Sequence, residues 1–175
     1  MSPRTATSQP AAERATGRPV GAILALALVA ALLLVLTEVS TVASVDVEGE
    51  SCEVINDNRP ELADRCSLSG WERHGGALIL LALVAAGAGL VARSGAFRIA
   101  GAILLAVGAV TLGLTLIGDL PVTGDAGAIG LEFDVATASA GLGFYLELLG
   151  GVLCLVAGAL ALASARRKPA PDRAT

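Results

Sequence analysis

The chain reads as an all-α membrane protein: four transmembrane helices in a bundle, with a small disulfide-stapled extracellular cap that includes a short β-element. Three observations predict this class. Four runs, residues 20–36, 75–92, 99–118 and 144–165, are almost free of charge. A helix of about 18 or more apolar residues crosses a hydrocarbon core roughly 30 Å thick. Apolar residues make up 54% of the 175 positions and the mean hydropathy is +0.73, greasier than an ordinary soluble domain of this length. The charges are also partitioned, with basic residues at the chain ends and one tight turn, and acids in two long connectors.

Residues 1–18 carry Ser, Thr, Pro, Ala and Arg without periodicity, and are expected to form a disordered cytoplasmic tail. The membrane domain then occupies 19–165, with spans at 20–41, 75–92, 97–118 and 142–165 and outer loops at 42–74 and 119–141. Residues 166–175 form a second cytoplasmic tail. The first apolar run exceeds the 7–15 residues of a secretory h-region, so an uncleaved helix is expected. The alternative is a signal peptide with Val42 and Ser44 at its cleavage site.

Basic residues set the orientation. Arg4, Arg14 and Arg18 precede the first span, Arg93 and Arg98 flank the turn between the second and third, and Arg166, Arg167, Lys168 and Arg173 follow the fourth. In the first connector Arg59, Arg65 and Arg73 are outnumbered by acids, and the second connector has no Lys or Arg. Short Lys/Arg-rich segments stay cytoplasmic. A multi-pass protein of the cell membrane is expected, with both termini inside and both long loops outside.

In the first outer loop Cys52 and Cys66 are expected to form a disulfide, since an external compartment is oxidising. Closing that loop is worth about 3 kcal/mol on the chain-entropy account. The spacing matches neither a CxxC redox pair nor a zinc site. Val42, Val45 and Val47 alternate with polar residues, as do Leu131, Phe133 and Val135. The two stretches have strand period and are expected to pair above the helices. Between them Pro60–Arg65 predicts one helical turn. Trp71, Phe97, Phe144 and Tyr145 fall where interfacial anchors belong, and His74, the single histidine, reads as a polar interfacial residue, with a ligand or pH-sensing role as the alternative. Cys154 reads as an apolar filler.

Three acids fall within or beside the apolar runs: Glu38, Asp119 and Glu147. They are the candidate proton or cation site. From Glu147, helical spacing runs through Gly143, Gly150, Gly151, Cys154, Gly158 and Ala161, a small-residue stripe that turns Glu147 toward the bundle. Glu38 shares a face with Ala27, Ala31 and Leu34. The competing expectation is that each acid stays hydrated near the rim or hydrogen-bonds a neighbouring helix. No Walker loop, GxGxxG turn, HExxH, GxSxG or EF-hand spacing is present, so no catalytic residue, cofactor site or metal site is expected.

The basic tail, long first outer loop, tight helical pair and last span opened by Gly-Leu-Gly-Phe-Tyr-Leu-Glu-Leu-Leu-Gly-Gly at 141–151 resemble small four-span integral membrane proteins of unknown function from high-GC bacteria. The layout is also similar to claudin-type tetraspans, whose first outer loop carries a disulfide. The first resemblance implies no assigned activity and no transferable catalytic residues. The expectation is a non-enzymatic structural or interaction component of the cell envelope. Its partners would be the lipid bilayer and other membrane or envelope proteins, and no nucleic acid; oligomeric state is left open. The alternative is a small transporter or proton-coupled carrier using the three carboxylates.

Overall fold

Hydropathy dictates four long helices and the chain builds them. The computed structural model describes residues 12–166, so the expectations for 1–11 and 167–175 lie outside the described residues. Helix α1 spans Ala12–Glu38, α4 Ala77–Arg93, α5 Phe97–Gly113 and α8 Leu142–Arg166. The stretches Pro19–Glu38, Phe97–Glu132 and Leu142–Arg166 are long and apolar enough to cross a membrane; Ala77–Arg93 is a shorter apolar helix. Two boundaries differ from expectation. Helix α1 begins at Ala12, so 12–18 is helical rather than part of a disordered tail. It ends at Glu38 rather than near 41, because Thr41 already belongs to a strand.

The helices pack around small residues. Helix α1 lies against α4 and α8, and α5 against α4 and α8. Their shared core includes Ala27, Ala30, Ala85, Ala88, Leu104 and Ala157. Glycine sets the α5–α8 distance. A Cβ added at Gly108 would lie 2.8 Å from the Gly151 carbonyl oxygen, and one at Gly158 would lie 2.9 Å from that of Gly101. Such backbone approach is the use membrane helices make of small residues. Leu32, Leu83, Ile99 and Leu160 face outward and are exposed.

The two connectors between long helices fold together as a cap. Strand β1, Thr41–Val47, is central. It turns through Glu48 and Gly49, both at positive φ, into β2, Glu50–Ser51, a two-residue hairpin of the kind that needs such backbone. Helix α2, Glu53–Asn58, a 3₁₀ turn at Pro60–Arg65 and strand β3, Ser67–Ser69, follow. The 3₁₀ turn lies where Pro60 led us to expect it. Strand β3 pairs antiparallel with the first half of β1 (Ser44↔Ser67), on the same edge as β2. On the opposite edge β1 pairs with β4, Ala136–Ala140, from Ala43↔Ala140 to Val47↔Ala136.

The expected strand pairing therefore forms, but with a different partner segment. Residues 127–132 are helix α7, Gly127–Glu132, and the strand starts after Val135. The alternation of Leu131, Phe133 and Val135 was matched by a short helix that buries Ile129 against Val45, Val47 and Ile55. The run that does pair, Ala-Thr-Ala-Ser-Ala, has no hydrophobic alternation to mark it. The Cys52–Cys66 disulfide, with Cα atoms 5.6 Å apart, ties the start of α2 to the start of β3.

Candidate functional site

Three short-range decisions in the sequence bring polar groups together beneath the cap. Ser69 and Glu72 form a capping box that starts helix α3, Gly70–His74: the Ser69 hydroxyl accepts the Glu72 N–H, and the Glu72 carboxylate accepts the Ser69 N–H at 2.8 Å. Gly70 permits the contact of α3 with α1, since a Cβ there would lie 2.2 Å from the Thr37 carbonyl oxygen. Gly75 and Gly76, both left-handed, end α3 and swing the chain into α4. Arg73 and His74 thus occupy the last turn of a helix held over the end of the bundle.

The second decision lies in α5. After Gly113 the helix widens into a π segment, Leu114–Asp119, and continues as a short turn α6, Leu120–Val122. A π segment inserts an extra residue per turn and often marks a functional site. Here it delivers Asp119 inward and buried, with the exposed Ile117 facing out. The third is the small-residue stripe of α8, which places Glu147 fully inside as the spacing predicted; Gly143, Gly150, Gly151, Cys154, Gly158 and Ala161 are buried with it.

The groups meet at His74. Its Nε2 lies 3.3 Å from Glu147 Oε2 and 3.5 Å from Asp119 Oδ2. The opposite oxygen of Asp119 accepts from Arg73 Nε at 2.8 Å, while Arg73 Nη2 donates to the Gly118 carbonyl at 2.7 Å. His74 Nε2, Asp119 Oδ2 and both Glu147 oxygens are buried and make no hydrogen bond of good geometry. Burial opposes a charge on His74, but Glu147, Asp119 and, at longer range, Glu38 outweigh it, so its pKa is raised above the ordinary value.

Glu38 is close but differently employed. Its Oε1 accepts the Leu78 N–H at 3.0 Å, capping the start of α4 from the end of α1, where a helix N-terminus favours negative charge. Its Oε2 is buried without a partner. Of the three expected acids, then, Asp119 and Glu147 flank one imidazole and Glu38 ties two helices. All three are buried rather than hydrated at the rim, and Glu38 hydrogen-bonds a neighbouring helix, the other branch of the competing expectation.

Arg73 is the residue the sequence reading missed, and His74 is expected there as a polar interfacial residue, with a ligand or pH-sensing role only as the alternative. A lone histidine beside an apolar run carries no pattern of its own. The available signal was the Ser69–Glu72 capping box, which fixes a helix start and hence the two residues of its last turn. The aromatic expectation also needs correcting: Trp71 and Tyr145 are exposed, whereas Phe97 and Phe144 are buried inside the packing.

The polar cluster stops abruptly. Below Asp119 and Glu147 come Thr115 and Thr111, the former donating to the Thr111 carbonyl at 2.9 Å. Beyond them the described interior is Leu104, Val107, Cys154, Ala157 and Ala161. One imidazole, two carboxylates and a guanidinium can hold a cation or exchange a proton, and they sit where the cap meets the bundle. No family model, curated protein or solved structure matches this chain.

Proposed function

We propose that this chain is a four-span cell-membrane protein with both termini inside, a non-enzymatic envelope component that acts through its outer cap. Helix α4 completes the fourth span in this reading. Its 17 residues rise about 26 Å, at the short end of the spanning range. Its outward Leu80, Leu83 and Leu90 are exposed as lipid-facing residues would be. The basic 93–98 turn belongs on the cytoplasmic side and the acid-rich cap on the outer side. Kinship with small four-span membrane proteins of high-GC bacteria belongs to the same reading.

The observation that carries it is the position of the buried polar groups. The ionisable ones gather at one level, between cap and bundle; among the described residues only the hydroxyls of Thr115 and Thr111 lie below them before the interior becomes apolar. Conduction of a proton or ion needs polar groups or water along the whole path. Anchoring the cap to the bundle needs them only where they are found. The carrier reading draws on the unpartnered oxygens of Glu38, Asp119 and Glu147, and it requires a route past Leu104 and Val107.

Two measurements test the proposal. Single cysteines replacing Asp134 in the cap and Ser94 in the 93–98 turn are treated with a membrane-impermeant maleimide in intact cells. The Asp134 variant is expected to label at once, and the Ser94 variant only after permeabilisation; the reverse overturns the topology. In proteoliposomes the protein is expected to give no proton flux above empty vesicles. A flux abolished by Glu147→Gln would replace the anchoring role with the carrier.

A further inference from the structure

We propose that His74, Asp119 and Glu147 form a binding site for one divalent first-row transition-metal ion of the zinc class. The three side chains each offer one ligand atom, all within 4.8 Å of one another. A tetrahedral ion with bonds of about 2.0–2.1 Å holds its ligand atoms about 3.3–3.4 Å apart. The two distances from His74 Nε2, 3.3 Å to Glu147 and 3.5 Å to Asp119, already match such edges. Only the carboxylate–carboxylate edge has to close, and three protein ligands leave the fourth position open, as in catalytic zinc sites.

The atoms that would bind the ion are the ones left without hydrogen bonds. His74 Nε2, Asp119 Oδ2 and both Glu147 oxygens are buried and make no hydrogen bond, and a buried polar atom without one is costly. Asp119 is meanwhile held from behind by Arg73 on its other oxygen, the arrangement by which neighbours orient a ligating carboxylate. Charge gives a second, independent argument. Once the ion displaces the imidazole proton of His74, the carboxylates of Glu38, Asp119 and Glu147 against the single guanidinium of Arg73 carry a formal charge of −2. One divalent cation cancels it.

The donor set selects the metal. Calcium and magnesium take all-oxygen shells and favour six or more ligands. An imidazole with two carboxylates, and no thiolate, suits zinc, manganese or ferrous iron. This site does not depend on which side of the membrane the cap faces, so it stands or falls separately from the topology.

The test uses the full chain in lipid nanodiscs, carrying an affinity tag without histidine and stripped with a chelator. Zinc titrated calorimetrically is expected to bind at one equivalent. Glu147→Gln and His74→Ala are each expected to weaken binding at least about tenfold, while Glu61→Gln, on an exposed cap acid, leaves it unchanged. Calcium at the same concentration is expected not to compete. Because His74 is the sole histidine, the unaltered protein gives a readout that needs no variant: in ¹⁵N-histidine spectra zinc should move the Nε2 resonance. The proposal is overturned if zinc leaves that resonance in place, if Glu147→Gln binds zinc as tightly as the parent, or if calcium displaces it.

Discussion

Replacing Gly108 by alanine tests whether the α5–α8 approach sets the geometry of the site. The added Cβ would lie 2.8 Å from the Gly151 carbonyl oxygen and 2.8 Å from two carbons of Leu155. Ordinary contact between carbons begins at about 3.5 Å. The Leu155 side chain can turn away, but the Gly151 carbonyl is α8 backbone, and relief there means separating two helices. Overpacking of this kind costs about 1–3 kcal/mol. Against it stands the helix preference of alanine over glycine, about 0.8–1 kcal/mol in soluble hosts. Gly87 supplies the control, since a Cβ there meets nothing within 4 Å and Gly87→Ala carries the preference without the clash. The difference between the two variants therefore isolates the clash: about 1–3 kcal/mol, or about 5- to 150-fold in the unfolding constant. Reversible unfolding in mixed micelles, followed by the fluorescence of Trp71, measures it. Gly151 lies one turn below Glu147 on the same face, so Gly108→Ala should also weaken zinc binding while Gly87→Ala does not. Equal unfolding midpoints for the two variants would refute the reasoning.

Three further outcomes follow from named contacts. Replacing Cys52 and Cys66 together by serine opens a cross-link of sequence separation 14 and should destabilise the cap by about 3 kcal/mol, seen as proteolysis within 48–69 while the long helices remain protected. The Glu72 pKa is lowered by the Ser69 backbone N–H and hydroxyl, so its contribution to α3 is present above the ordinary carboxylate value and lost as pH falls through the lower folded value. Amide protection in α3 should drop there, and Glu72→Gln should remove that step. For His74 the sign is opposite. Burial disfavours its charge, but Glu147, Asp119 and Glu38 prevail and raise its pKa. In chelator-treated protein its stabilisation is full below the ordinary imidazole value and is lost as pH rises through the raised one. Unfolding midpoints of parent and His74→Gln should converge above that pH; a constant gap would contradict the assignment.

Periodicity made some of this legible before any coordinates. The stripe from Gly143 to Ala161 has one face because glycine, alanine and cysteine recur at helical spacing, and it placed Glu147 inward. Cys52 and Cys66 were readable as a staple because they share one connector. The β4 register was not readable, because Ala136–Ala140 is uniform and small while the conspicuous alternation just before it starts in the last turn of α7 and ends in a turn. The π segment was equally silent: Leu114–Asp119 continues an apolar helix in composition. His74 enters the site through the tertiary meeting of α3, α5 and α8, and no spacing within the chain encodes that meeting. Glu38 illustrates the remaining ambiguity. An acid at the end of one apolar helix looks the same in sequence whether it faces another carboxylate or caps the Leu78 N–H.

The site also lies where the four long helices are joined at one rim. Glu38 ends α1 and holds the start of α4; Asp119 ends the continuation of α5; Glu147 sits in the second turn of α8; and α3, carrying His74, arrives from the cap. Carboxylates in such a place cost about 2.5–3.5 kcal/mol each at mid-membrane and less toward the rim, so the native packing at this level depends on whatever neutralises them. Cap docking and cation binding are then linked equilibria. A ligand that binds only the docked state stabilises it by about 2.7 kcal/mol at a free concentration 100 times its Kd. Zinc should therefore raise the denaturant midpoint of the parent protein progressively above its Kd, slow proteolysis of the cap, and leave both unchanged in Glu147→Gln. Zinc binding without any midpoint shift would mean that the undocked chain holds the ion equally well, and the linkage between ion and cap would fail.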